Sequence, residues 1–229
     1  MPIGTLTNIA AVIVGTSIGA LAGSRFPERI RSTVLATLGL LTAAVGVREI
    51  LPTDEFPLVL GAVLLGAVIG ELLRIEGGLH AFGAMLQRRL SGEDSDSRFS
   101  EGFVIASLVF CVGPLTIVGS IQDGLGDPEL LLLKSGLDGF ASIAFAAVYG
   151  WGVGASIVTI AVVQGGIALT AGALDGILTD PMVDALGAAG GVLLLGIALK
   201  LLDLKEIRVA NLLPAVIIAP IFVALWGSG

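Results

Sequence analysis

The chain has little of what soluble enzymes are usually built around. It has one cysteine, Cys111, and one histidine, His80, in 229 residues. One cysteine excludes an intrachain disulfide, and Cys111 stands in an apolar run, where packing is its natural role. His80 has no second His or Cys near it in sequence, so it reads as an interfacial residue rather than a metal ligand or proton relay. No metal and no cofactor is expected. Charge is scarce as well: 14% of residues are charged, against about 25% in soluble domains. Mean hydropathy is +1.00. A soluble globular domain is excluded, and the lipid bilayer is the first partner the chain needs. The net charge of −7 is spread over separate short loops, so no nucleic-acid partner follows from it. Aromatic residues make up only 5%, which leaves the apolar mass to Leu, Ala, Val, Ile and 33 glycines. That mix suits helices packed closely through small residues.

The first apolar run also lacks the positive residues that precede the core of a secretory signal; here they follow it. It reads as a retained span. A spanning helix needs roughly 20 mostly apolar residues, and eight stretches meet or approach this, at about 3–23, 33–50, 57–75, 102–121, 129–150, 152–174, 184–202 and 209–226. The expected fold is all-α, a polytopic integral membrane protein of about eight spans, or seven if one is demoted, forming a single domain over 1–229.

Basic residues orient these spans, because cytoplasmic loops carry the excess of Lys and Arg. Arg25, Arg29 and Arg31, then Arg74, Arg88, Arg89 and Arg98, then Lys200, Lys205 and Arg208 all fall on one side of an eight-span chain. Arg48 falls on the other, with the acids Glu49, Asp54, Glu55, Asp123, Asp127, Glu129, Asp175, Asp180 and Asp184. Both termini are expected outside. Residues 76–98 form an amphipathic cytoplasmic segment with Leu79, Phe82, Met85, Leu86 and Leu90 at helical spacing, followed by a polar linker.

A weak self-similarity at an offset of about 150 residues pairs "GTSIGALAG" with "QGGIALTAG" and "LGLLTAAVGV" with "GGVLLLGIAL". It predicts an inverted repeat of spans 1–3 and 6–8, with halves 1–75 and 152–227, an architecture common in secondary transporters. Small residues four apart, Gly15, Gly19 and Gly23 in span one and Ala62, Gly66 and Gly70 in span three, form stripes for close helix packing. The same stripes suit a homo-oligomer.

Polar groups at membrane depth carry more information, because a charge or unpaired polar group there costs several kcal/mol. Thr116, Ser120 and Asp123 share a face with Gly113 in span four. Ser135, Asp138 and Ser142 share one in span five, Gln164 lies in span six, Thr5 and Asn8 in span one, and Asn211 in span eight. Lys134 and Asp138, four apart, suit an ion pair, although Lys134 is also close enough to the surface to snorkel. Gly113-Pro114 breaks span four, and a proline there takes away the helical partner of the Phe110 carbonyl. That carbonyl is either satisfied by a neighbouring helix or joins Thr116 and Ser120 as an oxygen ligand for a cation. Residues 122–129, "QDGLGDPE", read as the outer turn, with Asp123 near the mouth. Asp138 is the strongest single candidate.

"FCVGPLTIVGSIQDGL", "KSGLDGFASI", "VVQGG" and "VANLLPA" together resemble the signature segments of the bacterial membrane-protein family catalogued as domain of unknown function 554, which takes in YqgA-like and YdfK-like proteins. "GTLTNIAAVIVGTSIG" and "LGAVLLGAVIGELLRIEGGL" extend the resemblance over nearly the whole chain. Pro114 departs from the pattern, since similar proteins often carry a small residue such as Ala there. The resemblance implies a multi-pass protein of the bacterial cytoplasmic (inner) membrane, described as a sodium channel or pump with a link to biofilm behaviour. It carries over Ser120, Asp123, Lys134, Ser135, Asp138, Gln164 and Asn211.

The leading expectation is a channel or ion-coupled secondary transporter for a small cation, Na⁺ first, since oxygen-rich groups suit a hard cation. A proton-coupled transporter of a small metabolite fits nearly as well. A scaffold, assembly partner or sensor is the third class. Primary pumping by this chain alone is disfavoured, since no Walker motif is found, and an enzyme is not expected, since neither a His-Glu-x-x-His nor a Gly-x-Ser-x-Gly nucleophile motif is read in the chain.

Overall fold

The computed structural model describes residues 2–23, 26–91 and 97–227, and among them every regular element is a helix. In chain order these are α1 (Ile3–Gly23), α2 (Glu28–Ile50), α3 (Phe56–Leu73), α4 (Ile75–Ser91), α5 (Ser97–Cys111), α6 (Pro114–Leu125), α7 (Glu129–Tyr149), α8 (Gly152–Ala155), α9 (Ile157–Leu169), α10 (Ala171–Leu174), α11 (Asp180–Leu201), a 3₁₀ turn (Val209–Leu212) and α12 (Pro214–Trp226). Arg25 and residues 92–96, the middle of the expected linker, lie outside the described residues.

Seven of these segments, Gly152–Leu169 and Val209–Trp226 counted as one each, are long and apolar enough to cross a membrane. An eighth crossing is available if α5 and α6, bent by 65° at their junction, act as one span. The surface has the character of a membrane protein. Leu133, Leu137 and Phe140 of α7 and Leu60, Leu64 and Leu72 of α3 are exposed, while Asn8, Ser120, Ser142 and Gln164 are buried. Hydrocarbon is the solvent that rewards this inversion.

The described residues divide into two compact units. The first takes Met1–Leu35, Leu79–Cys111 and Leu115–Asp175; the second takes Ala36–Gly78, Val112–Pro114 and Gly176–Gly229. Each of the expected repeat halves thus gives its first span to the first unit and its next two to the second.

In the first unit α1 lies along α7. Gly4 faces Leu131, Gly15 faces Gly139 and Ser142, Gly19 faces Ile143, and Gly23 faces Ala147. Partner numbers rise together, so the two helices run parallel. A Cβ at Gly15, Gly19 or Gly23 would strike the backbone of α7; the small-residue stripe exists to let these backbones meet.

In the second unit the same device joins antiparallel helices. Gly70 faces Asn211, Gly66 faces Ala215 and Gly61 faces Phe222, so α3 runs against α12. Gly46 faces Gly191 and Gly39 faces Leu202, so α2 runs against α11. Val59, Ala62, Met182, Ala185, Ala188, Ala215 and Ala219 fill the core between them. Both stripes read from the sequence are therefore occupied within the chain.

Candidate functional site

The parallel seam between α1 and α7 carries Asn8 to the face of α7 that holds Lys134 and Asp138. One turn apart on that helix, these two side chains form an ion pair. Lys134 and Asp138 are each only 6% exposed. Lys134 thus turns inward to its partner instead of snorkelling to the surface. A buried pair of this kind is held by further hydrogen bonds or not at all, and Asn8 supplies one: its Nδ2 donates to Asp138 Oδ2 at 3.0 Å. The same nitrogen donates to Gln164 Oε1 of α9 at 3.2 Å. Asn8 and Gln164 are fully buried. Four side chains from three helices therefore meet in the interior of the first unit.

The network is incomplete. Asn8 Oδ1 and Gln164 Nε2 are buried without a hydrogen-bond partner, two of four such atoms among the described residues. An unmet buried polar atom costs about 1–3 kcal/mol. Both belong to side chains joined by the Asn8–Gln164 hydrogen bond, next to the buried charge pair.

Asp123 does different work. Its carboxylate accepts from Gly4 N at 2.8 Å, Thr5 N at 2.9 Å and Thr5 Oγ1 at 3.0 Å. These amides open α1 and have no intrahelical acceptor, and a carboxylate also meets the positive end of the helix dipole. The expectation that Asp123 sits in an outer turn is corrected here: α6 continues to Leu125, and Asp123, 4% exposed, lies in its last turn as a cap for another helix. With three donors on it, it is not a free ligand.

The break in the fourth span is resolved locally as well. The helix stops at Cys111 and restarts with Pro114 as its first residue, a position where the missing N–H is no loss. Gly113 makes the turn with φ +136°, a conformation that Cβ-bearing residues avoid. The Phe110 carbonyl accepts from Thr116 Oγ1 at 3.1 Å. Ser120 Oγ donates to Thr116 O at 2.5 Å and Ser135 Oγ to Leu131 O at 2.6 Å. Of the two accounts of the break, local satisfaction holds, supplied by the chain's own next helix rather than a neighbour. Pro114 itself belongs to the second unit.

Asn211 also belongs to the second unit, with partners of its own. Its Nδ2 donates to Glu71 Oε2 at 2.6 Å, and its Oδ1 accepts from Glu76 N at 2.8 Å. Glu76 Oε2 accepts from Ala210 N at 2.8 Å, and Arg208 pairs with Glu71. Glu71, Glu76 and Arg208 were missed as partners in the sequence; the signal for them was acid at the end of span three opposite a basic residue before span eight. Also missed was the match of Gly15-Thr16-Ser17-Ile18-Gly19 to the spacing of a hydrolase nucleophile elbow. That motif needs a strand-to-helix turn, whereas Ser17 lies within α1 and donates to Ile13 O at 2.8 Å.

Among the described residues no three His, Cys, Asp or Glu come together as a metal site. The arrangement that remains, one carboxylate, one ammonium and two carboxamides sealed between apolar helices, belongs to a polytopic helical membrane protein with a polar interior. The chain is a member of the family described as "Protein of unknown function (DUF554)", whose family model matches residues 3–224. It is 32% identical over 230 residues to the uncharacterized protein YqgA of Escherichia coli (strain K12), covering 99% of this chain and 98% of that one. It is 28% identical over 225 residues to the uncharacterized membrane protein YdfK of Bacillus subtilis (strain 168), covering 96% and 95%. No solved structure matches the chain.

Proposed function

We propose that this protein moves a small cation, Na⁺ before others, across the bacterial cytoplasmic membrane, with Asp138 as the residue that meets the ion. The observation that carries this reading is the Lys134–Asp138 pair, 6% exposed, beside two buried amide atoms with no partner. Ionisable groups inside a membrane protein are costly and are kept for ion or proton pathways. Lys134 already stands as a cation on Asp138. An incoming ion displaces the proton of that ammonium, which leaves Lys134 neutral and the net charge of the interior constant. Such an exchange fits an ion-coupled transporter better than an open channel.

A second reading, a proton-coupled transporter of a small metabolite, is favoured by an open cleft of about 630 Å³ in the same unit, lined by Ile13, Thr16, Phe99, Trp151 and Val158 among others. Its volume lies in the range of small-molecule sites, roughly 300–1,000 Å³.

Reconstitution tests both. Purified protein in liposomes is expected to carry radioactive sodium faster than empty vesicles, and Asp138→Asn to abolish the difference. Equal flux with and without protein, under both a sodium and a proton gradient, would sink the transport reading and leave a scaffold or sensor.

A further inference from the structure

Asn8 holds a geometry that a purely structural residue would not need. Its Nδ2 donates to two oxygens at once, Asp138 Oδ2 at 3.0 Å and Gln164 Oε1 at 3.2 Å, while its own Oδ1 has no partner. A carboxamide has nearly the same shape when its oxygen and nitrogen exchange places. Rotating Asn8 by half a turn about its Cβ–Cγ bond therefore requires little repacking. It does change the chemistry. Oδ1 then stands where Nδ2 stood, and three oxygens, Asn8 Oδ1, Asp138 Oδ2 and Gln164 Oε1, face one point.

Lys134 reaches only one of these oxygens, Asp138 Oδ2, so without a further positive group the three repel one another. With a hard cation at that point they form part of its coordination shell. Nδ2 in the present orientation supplies the positive end of a dipole to the same two acceptors, and so stands in for the ion.

We propose that Asn8 is a two-position switch of the cation site: its amide nitrogen closes the empty site, and its amide oxygen becomes a ligand when a small monovalent cation enters. This rests on the cation reading of Asp138 and adds to it a named ligand outside α7 and a reason why Asn8 Oδ1 is unpaired. A single carboxylate, already shared with Lys134, suits a singly charged ion better than a divalent one, which gathers more carboxylates. Gln164 is the fixed partner. Its oxygen faces the same point in both states.

The switch and a simple orienting role for Asn8 predict opposite outcomes for one substitution. In the full-length protein purified in detergent, sodium chloride is expected to raise the unfolding temperature above that in choline chloride at equal ionic strength. Asn8→Asp places an oxygen toward Asp138 and Gln164 permanently, and is expected to keep or strengthen the sodium-dependent shift. Asn8→Leu removes the ligand and is expected to weaken apparent sodium affinity at least tenfold. If Asn8 only donates to Asp138, Asn8→Asp sets two carboxylates together without a donor and loses the shift as Asn8→Leu does. That result overturns the switch and leaves the cation reading standing, because the wild-type shift survives. Should Asn8→Asp fail to reach the membrane, Gln164→Glu carries the same test: it keeps the oxygen and is expected to keep sodium binding, and loss of binding overturns the proposal. A wild-type protein with no shift in lithium, sodium or potassium and no flux removes both readings.

Discussion

Asn8 of α1 and Asp138 of α7, 130 residues apart, are joined by a 3.0 Å hydrogen bond across a seam where glycines bring the two helix backbones together. The bond exists because the helices run parallel with their small residues in register: Gly4 at Leu131 and Gly15 at Gly139 leave Asn8 level with the turn between Lys134 and Asp138. Packing thus sets the site, and the site in turn places charge where packing alone would have put Leu.

Breaking that charge pair has a definite consequence. Lys134→Met leaves an unpaired carboxylate in the interior, expected to cost about 3–5 kcal/mol, whereas the double change Lys134→Met with Asp138→Leu is expected to recover most of that loss. Thermal unfolding in detergent measures both. If Lys134→Met unfolds like wild type in the absence of alkali cations, the pair is not sealed.

The break between α5 and α6 gives a graded series. Pro114→Ala is expected to change stability by less than about 1 kcal/mol, because the proline begins a helix instead of interrupting one. Gly113→Ala forces a Cβ into the φ +136° conformation and is expected to cost about 1–3 kcal/mol. Thr116→Val leaves the Phe110 carbonyl without its 3.1 Å donor, at about 1–3 kcal/mol. The order Gly113→Ala and Thr116→Val well below Pro114→Ala in unfolding temperature checks this account; equal losses at all three would contradict it.

These cases show where the sequence is readable. Lys134 with Asp138, and Gly15 with Gly19 and Gly23, are four apart on one helix, so their shared face follows from helix geometry alone. Asp123 could not be told from a ligand, because its partners are backbone amides 118 and 119 residues away. Asn211 looks like Asn8 in sequence, each before an apolar run, yet one meets Asp138 and the other Glu71. Which carboxylate a polar helix end finds depends on the helix opposite, and pairing between helices is not written in local spacing. Pro114 was misread for a related reason: one residue of helix boundary separates a kink from a helix start.

The glycine seam can be tested apart from the charges. Gly19→Val drives a branched side chain into the Ile143 carbonyl of α7, where backbone cannot yield, and overpacking of this kind costs about 1–3 kcal/mol or more. Gly136→Ala, on a part of α7 with nothing within 4 Å of the added carbon, is expected to be neutral or to gain up to about 1 kcal/mol of helix propensity. Size-exclusion profiles and unfolding temperatures distinguish them. A monodisperse, wild-type-like Gly19→Val would mean that α1 does not lie on α7.

Helix directions bear on the number of crossings. α1 is the first crossing, and α7 is the fourth if the α5–α6 pair turns back on itself or the fifth if the pair traverses the membrane. A fourth crossing runs antiparallel to the first, but the paired residues of α1 and α7 advance together from Gly4–Leu131 to Gly23–Ala147. α3 and α12 give an independent check: the third crossing is antiparallel to an eighth and parallel to a seventh, and Gly70–Asn211 with Gly61–Phe222 runs antiparallel. Both pairs fit an arrangement in which the bent helices, 65° apart, cross as one span, and that is the topology expected. With eight crossings the two chain ends share a side, and the excess of Arg29, Arg31, Arg88, Arg89, Lys200 and Lys205 toward the opposite side predicts that the shared side is outside. Alkaline phosphatase fused after Trp226 or at the Gly126–Asp127 turn is expected to be active, and green fluorescent protein fused after Asp203 to fluoresce. A fluorescent fusion after Trp226 would mean seven crossings and a re-entrant α5–α6, which the parallel course of α1 and α7 does not allow.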